Sequence, residues 1–121
     1  MKICVTAQGD NLDSAVDPRF GRSQYFIVVE TDSLEFEAIE NPNVSGMGGV
    51  GIQSAQFISE KTVKAVLTGN VGPNAFQTLK AANIEIITGV SGSVKEAIEK
   101  YKNGGFKSIQ GPNVDSKFGA S

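Results

Sequence analysis

Hydrophobic residues follow two different periods along this chain, and the change falls near residue 41. Before that point, runs rich in β-branched and aromatic residues predict three short strands, at 2–7, 25–30 and 34–40. The third run alternates apolar residues with glutamates, which is typical of a half-exposed edge strand whose charges resist pairing with another molecule. The first part of the chain therefore predicts a buried strand and, after a long loop, an antiparallel hairpin.

In the rest of the chain, apolar residues recur at helical spacing in three segments, which two short apolar runs at 64–68 and 85–88 separate. Pro73 suits the first position of the second helix, and Ser93 with Glu96 forms a capping box for the third. The predicted apolar stripes are Ile52, Ala55 and Ile58 in a helix ending near Lys61; Phe76, Leu79 and Ala82; and Val94, Ala97, Ile98 and Tyr101.

The predicted order of elements is strand, strand, strand, helix, strand, helix, strand, helix. Two strand-helix-strand crossovers imply parallel strands beside the first strand, with helices on the faces of the sheet and the hairpin at its other edge. Residues 1–105 are expected to form one α/β domain. Residues 106–121 are rich in Gly, Ser, Asn and Lys, and we expect them to form a mobile C-terminal tail.

Composition and charge exclude several classes of function. The 121 residues include 11 Lys+Arg and 13 Asp+Glu, and the net charge of -2 argues against a nucleic-acid binder. Cys4 is the only cysteine and histidine is absent, which excludes a zinc site, a Cys-rich iron-sulfur site and a Ser-His-Asp triad. No apolar stretch approaches the ~18 residues that span a membrane, and no leader is recognised, so a cytoplasmic domain without membrane contact is expected.

Three glycine-bearing loops are predicted at one edge of the sheet, at 46–51, 69–74 and 89–93. Each precedes a helix, and the backbone N–H groups of such loops favour anions. Ligands of open α/β sheets bind outside the carboxyl ends of the parallel strands, where these loops are expected to lie. Flexible connections or tight turns without a ligand are the alternative.

Gly46, Gly48 and Gly51 have the spacing of a dinucleotide fingerprint, but they follow the third strand rather than the first. Val71 stands where an acidic residue would hold the ribose. We therefore favour a general anion-binding loop over a dinucleotide site. Met47, a soft side chain in this loop, is a candidate thioether contact to a sulfide cluster.

The long loop at 8–23 carries two arginines, Arg19 and Arg22, close to Phe20. Guanidinium groups stay charged and offer several fixed donors, which suits an anionic ligand in a partly dry cleft. The alternative is structural, with Asp17 pairing with one arginine and Phe20 filling the core.

Catalytic chemistry has few candidates in this sequence. A ribonuclease-H-type nuclease needs clustered carboxylates with one on the first strand, and residues 2–7 contain none. Asp10, Asp13 and Asp17 are loop residues expected to be solvated or to cap turns. Cys4, in the middle of a central strand, is expected to be a small core residue rather than a metal thiolate.

Five motifs follow one another in a familiar order. They are Met1-Lys2-Ile3, Asp17-Pro18-Arg19-Phe20-Gly21-Arg22 before Tyr25-Phe26, Asn41-Pro42, Gly48-Gly49-Val50-Gly51, and Gly69-Asn70-Val71-Gly72-Pro73-Asn74-Ala75-Phe76. Over about residues 1–105, they resemble the dinitrogenase iron-molybdenum cofactor biosynthesis family. That family includes carriers of nitrogenase cofactor or its precursors, small archaeal and bacterial homologues, and the orange protein, which holds a molybdenum-copper-sulfide cluster without covalent attachment. The resemblance implies a three-layer, ribonuclease-H-like α/β fold with a five-stranded mixed sheet.

The resemblance also implies a site. Carriers of this family typically hold the cluster with a His or Cys near the glycine loop, where this chain has Ser45-Gly46-Met47-Gly48-Gly49. The chain therefore resembles the His-free branch, in which backbone amides, arginines and apolar contacts would hold an iron-molybdenum or molybdenum-copper sulfide cluster. The implied site residues are Arg19, Arg22, Gly46, Met47, Gly48, Gly49, Gly51, Asn70 and Gly72.

Two functions of different classes remain open at this point. The leading hypothesis is a non-enzymatic carrier that binds an anionic metal-sulfur cluster or its precursor without a covalent bond. The alternative is an interaction module without a metal of its own, which binds a cluster-assembly partner or an ATPase through the Gly46 loop and the tail. An enzyme acting on a phosphorylated small molecule is disfavoured, because the sequence offers no acid-base pair for it.

Overall fold

The computed structural model describes residues 1–42 and 50–107, which form five strands and three helices. The strands are β1 (Lys2–Ala7), β2 (Tyr25–Glu30), β3 (Phe36–Glu40), β4 (Ala65–Leu67) and β5 (Glu85–Ile87). The helices are α1 (Val50–Ser59), α2 (Pro73–Ala81) and α3 (Val94–Lys102). The order of these elements confirms the predicted one.

The strands form one mixed sheet in the order β3-β2-β1-β4-β5. The central strand β1 pairs antiparallel with β2 and parallel with β4, so that Cys4 lies between Val28 and Val66. The hairpin β2-β3 extends one side of the sheet and the parallel strand β5 extends the other. The five-stranded mixed sheet is therefore confirmed.

Helices cover both faces of this sheet. On one face, α1 and α2 pack with Ile58 and Leu79 against strand residues that include Phe26 and Val66. On the other face, α3 packs with Ile98 against the alternate strand residues. Because successive side chains of a strand point to opposite faces, the almost unbroken apolar runs of the central strands fill both layers of a three-layer fold.

Three expectations about individual residues are wrong. The strand β3 begins at Phe36 and not at Leu34, because Leu34 has a left-handed backbone with φ 63° and closes the hairpin turn by donating its N–H to the Glu30 carbonyl. Ala82 is exposed, since α2 ends before it and its N–H caps the helix. Ile52 is only half-buried, because the inner face of α1 is formed by its neighbours in the helix, Val50, Gly51, Ser54, Ala55 and Ile58.

The beginning of the expected tail lies on the domain. Phe106 packs partly buried against the α3 side of the core, and the Lys100 ammonium lies 4.7 Å from the centre of its ring. Residues 108–121 lie outside the described residues, so the mobile tail and the boundary at residue 105 stay predictions. None of the described helices has the length and apolar character that a membrane crossing requires.

Candidate functional site

Two of the loops singled out in the sequence meet at the carboxyl edge of the parallel strands. Arg19, in the loop after β1, pairs through its backbone with Asn70, in the loop after β4. The Phe20 N–H donates to the Asn70 carbonyl at 3.2 Å, and the Asn70 side-chain amide donates to the Pro18 carbonyl at 3.2 Å. The loop at 8–23 after β1 (the arginine loop) and the loop at 69–74 after β4 (the second glycine loop) therefore form one continuous surface.

Gly69 allows the close approach of these loops. A β-carbon at this position would lie 2.6 Å from both the Cα and the carbonyl oxygen of Pro18. Such a contact is too short, and the backbone of Pro18 could not move away easily. The Gly69 carbonyl also accepts the N–H of Gly89 at 2.9 Å, which joins the second glycine loop to the third. The predicted clustering of these two glycine loops at one sheet edge is thus confirmed.

Asp17 organises the arginine loop from inside. Its buried carboxylate accepts the backbone N–H of Arg19 at 3.0 Å and that of Gln24 at 3.1 Å, and it lies 3.5 Å from the Arg19 Nε. The structural alternative is therefore correct in part, because Asp17 does pair with Arg19 and Phe20 is buried in the core. The Arg19 side chain nevertheless remains 47% exposed, so its pairing with Asp17 orients it without burying it.

A second set of hydrogen bonds fixes the backbone around the half-buried Arg22. The Gly21 carbonyl accepts from the Asn41 side-chain amide at 3.1 Å and from the Ser54 hydroxyl at 2.9 Å. Asn41 also donates to the Ser23 carbonyl at 2.9 Å. The chain on both sides of residues 43–49 is therefore attached to the peptide groups that flank Arg22.

A pair of buried threonines connects the strand ends beneath these loops. The Thr6 hydroxyl lies 2.8 Å from the Asp17 carbonyl and 2.8 Å from the Thr68 hydroxyl. A carbonyl can only accept and each hydroxyl carries one proton, so Thr6 donates to Asp17 and accepts from Thr68. These bonds fix the arginine loop to the carboxyl ends of β1 and β4.

Two helices begin beside this surface without an acidic residue in their first turns. Gly72, the N-cap residue of α2, provides no side-chain cap, and Pro73 follows it. Gly51 is buried in the first turn of α1. Helix N-termini carry partial positive charge. Arg19 and Arg22, the only arginines of the chain, lie in the adjoining loop. Positive charge and N–H donors are therefore concentrated at this surface.

Cys4 does not join this surface, and the first glycine loop is described only from Val50 onward. Cys4 is fully buried inside the sheet, where burial raises the pKa of its thiol, so it packs as the small core residue that was predicted. Gly46, Met47, Gly48 and Gly49 lie outside the described residues. Over residues 1–42 and 50–107, no three His, Cys, Asp or Glu side chains come together as ligands for a metal ion.

Sequence reasoning missed most of the residues that hold the arginines in place. Thr6 and Thr68 looked like ordinary strand residues, and Asn41, although part of a motif, had no assigned role, because their partners lie far away along the chain. Ser54 carried a weak signal, since a hydroxyl at a buried helical position requires a hydrogen-bond partner. The resulting surface presents N–H and guanidinium donors and directs the Asp17 carboxylate inward, an arrangement suited to an anion.

Comparisons with known proteins agree with this fold. The sequence model described as dinitrogenase iron-molybdenum cofactor matches residues 1–104. An uncharacterised protein of Methanocaldococcus jannaschii is 34% identical over 107 residues, which are 86% of this chain and 87% of that protein.

Solved structures extend the comparison. The apo form of the orange protein from Desulfovibrio gigas is 37% identical, with a TM-score of 0.90 over 93% of this chain and 96% of that one. A Thermotoga protein solved by NMR is 33% identical, with a TM-score of 0.80 over 93% of this chain and 97% of that one. On these grounds the chain belongs to the dinitrogenase iron-molybdenum cofactor family.

Proposed function

We propose that this protein is a non-enzymatic carrier for an anionic metal-sulfur cluster or its precursor, which it binds without a covalent bond. The observation that carries the proposal is the junction of Arg19 with Asn70 beside the start of α2. It unites the two arginines with a glycine loop at the sheet edge where ligands of α/β folds bind. The family and the similarity to the orange protein support a cluster as the cargo.

The residues present suit such a cargo. A thiometallate or a metal-sulfide cluster is a large anion whose surface sulfides accept hydrogen bonds. Backbone N–H groups and guanidinium groups donate such bonds and balance the charge. The Asp17 carboxylate, with 1% of its side chain exposed, would not repel the anion directly, because it is directed toward the loop backbone.

Within the site, we assign Arg19 and Arg22 as the charged donors and Asn70, Gly72 and Gly51 as the backbone cradle. Asp17 orients Arg19 and neutralises part of its charge, and Arg22 is the second charged donor. Gly46, Met47, Gly48 and Gly49 remain predictions that rest on the sequence. An iron-molybdenum and a molybdenum-copper sulfide cluster are both compatible with these donors.

The test is an anaerobic titration of the purified protein with tetrathiomolybdate plus copper and, separately, with iron-sulfide precursors. Visible absorption and metal analysis after gel filtration report retention of a cluster. Arg22→Ala is compared with Arg22→Lys, which keeps the charge, and with Lys80→Ala, which removes a charge at the far end of α2. We expect a stoichiometric complex that Arg22→Ala weakens by about tenfold to a hundredfold, because a charge-assisted bond contributes roughly 1.5 to 3 kcal/mol.

The outcomes separate the two functions. Equal loss in Lys80→Ala and Arg22→Ala would mean that net charge, and not this site, controls retention. If no metal mixture co-elutes with the protein and a protein partner binds the metal-free chain, the interaction module replaces the carrier. Pull-down with and without residues 106–121 then tests whether the C-terminal segment contributes.

A further inference from the structure

The strand β3 presents an ordered row of backbone groups at the edge of the sheet. In its antiparallel pairing with β2, Val28 lies opposite Glu37. The Glu30 N–H donates to the Glu35 carbonyl at 2.9 Å, and the Asn41 N–H donates to the Gln24 carbonyl at 3.1 Å. Residues of an antiparallel pair alternate between hydrogen-bonded and non-bonded positions. The backbone groups of the odd-numbered residues of β3 therefore bond to β2.

The even-numbered residues therefore face away from the sheet. The N–H and C=O groups of Phe36, Ala38 and Glu40 point outward, and none of them bonds to any backbone group in residues 1–42 and 50–107. These three alternate residues provide three N–H donors and three carbonyl acceptors. This number is sufficient for a short extended peptide to form a hydrogen-bonded ladder with β3.

The side chains at this edge combine acidic charge with apolar surface. Glu35, Glu37 and Glu40 are exposed, and Phe36 is 42% exposed, although it is one of the larger apolar side chains. A groove of about 310 Å³ spans the same end of β1, β2 and β3, with Val28 and Phe36 among its lining residues. Its charged lining residues are Lys2, Glu30, Glu35 and Glu37, so glutamates outnumber lysine three to one.

We propose that the outer edge of β3 is a docking site for an extended, basic segment of a partner protein, which adds to the sheet as a sixth strand. Main-chain bonds to Phe36, Ala38 and Glu40 would give affinity, and the glutamates would select lysine or arginine at alternate positions. A second copy of this chain is disfavoured, since pairing β3 with itself would bring the glutamates of both copies into one strip.

The charges that discourage pairing with a second copy are thus the ones that favour a basic partner. This inference does not depend on the proposed cluster site, because the docking edge uses the backbone of β3 and its own glutamates. Arg22→Ala is therefore expected to leave docking unchanged.

The test uses the full chain labelled with ¹⁵N and three synthetic peptides: one of alternating lysine and valine, one of alternating glutamate and valine, and the lysine peptide N-methylated on alternate amides. Amide shifts map the site, and their titration gives Kd. We expect the lysine peptide to shift the amides of Phe36, Ala38 and Glu40, while the other two peptides bind at least about tenfold more weakly.

Two pairs of variants sharpen this experiment. Ala38→Pro removes one outward N–H without breaking a bond to β2, and Ala38→Val keeps that N–H; only the proline variant should lose binding, by about tenfold. Glu37→Gln should weaken binding about threefold, and Glu99→Gln on α3 should not change it. If Ala38→Pro fails to fold, the N-methylated peptide makes the same distinction from the side of the ligand.

Four positive observations would overturn the proposal. They are equal binding of the acidic and basic peptides, shifts confined to other strands, a dimer that Ala38→Pro dissociates, and slow hydrogen exchange of the Phe36, Ala38 and Glu40 amides in the free chain. The third result would assign the edge to a second copy, and the fourth would mean that the chain covers the edge itself. Absence of binding by every peptide would equally reject it.

Discussion

Helices α2 and α3 both begin at the carboxyl edge of the parallel strands, but their first turns are built differently. At α3, the Ser93 hydroxyl accepts the Glu96 N–H and the Glu96 carboxylate accepts the Ser93 N–H, which completes a capping box. The N–H groups of Val94 and Lys95 donate to carbonyls of the loop after β1, at 2.9 Å each. This helix start is satisfied entirely by the protein.

At α2, no side chain caps the N–H groups of the first turn, and this turn contains no acidic residue. Gly72 occupies the N-cap position, and the loop after β1, which carries both arginines, adjoins the loop before this helix through the pairing of Arg19 with Asn70. The first half of the loop after β1 accepts the N–H groups at the start of α3, through the carbonyls of Leu12 and Ser14. The second half, which carries the arginines, provides no such cap for the start of α2. The difference indicates that an anion is expected on the α2 side of the sheet and not on the α3 side.

Gly69→Ala should have the largest effect on this comparison. The added methyl group would meet the Pro18 backbone and separate the arginine loop from the second glycine loop, at a cost of about 3 kcal/mol. Chemical denaturation measures the stability, and the anaerobic titration measures cluster retention.

Gly89→Ala is the matched control for Gly69→Ala. The space around Gly89 is open but its φ is 72°, so the substitution should cost only about 1 kcal/mol through backbone strain. Equal costs at the two positions would mean that the close approach of Pro18 does not determine the loop arrangement.

Asp17→Asn is expected to act on the α2 side alone. An amide keeps the size of the carboxylate but replaces one acceptor oxygen with a donor that faces the backbone N–H of Arg19 or Gln24. We expect a loss of about 2 kcal/mol of stability together with weaker cluster binding. Asp13→Asn, at an exposed position of the same loop, should change neither quantity, and a similar effect there would contradict the role of Asp17.

Ser93→Ala should act on the α3 side alone. Removal of the capping hydroxyl is expected to lower the free energy of unfolding by about 1 kcal/mol without any effect on cluster retention. A Ser93→Thr variant, which keeps a hydroxyl, should restore most of the stability. Loss of cluster retention in Ser93→Ala would show that the two helix starts are not independent.

The smallest expected effect concerns pH. Hydrogen bonds from the Ser93 backbone and then from its side chain hold the pKa of Glu96 below its ordinary value of 4.5. A carboxylate whose pKa is lowered by folding stabilises the protein above that ordinary value, and this contribution disappears as the pH falls through the lowered one. The difference in unfolding free energy between the protein and Glu96→Gln should therefore shrink upon acidification, and a constant difference would contradict this prediction.

Local pattern was sufficient for most of the fold. The strands β1 and β2 have the predicted bounds, since uninterrupted β-branched and aromatic runs determine them. The capping box at Ser93 also follows directly from neighbouring residues. Errors occur where the backbone conformation of one residue shortens an element. The left-handed conformation of Leu34, for example, makes β3 begin at Phe36.

The site was predictable only as a set of loops. The sheet order implied that the arginine loop and the loop after β4 share an edge, and they do meet at Arg19 and Asn70. The internal supports were not predictable, because Asp17 with Gln24 and Gly21 with Ser54 are bonds between residues that only the folded sheet brings together. Hydrophobic periodicity carries no information about such polar contacts.

Amide spectra of the ¹⁵N-labelled protein, recorded during anaerobic addition of tetrathiomolybdate and copper, would show which helix start the cluster contacts. We expect the amides of Arg19, Arg22, Asn70 and Asn74 to shift as colour develops, while those of Lys95 and Glu96 at the start of α3 stay unchanged. Shifts centred on the start of α3, or a coloured complex that perturbs neither helix start, would contradict the account.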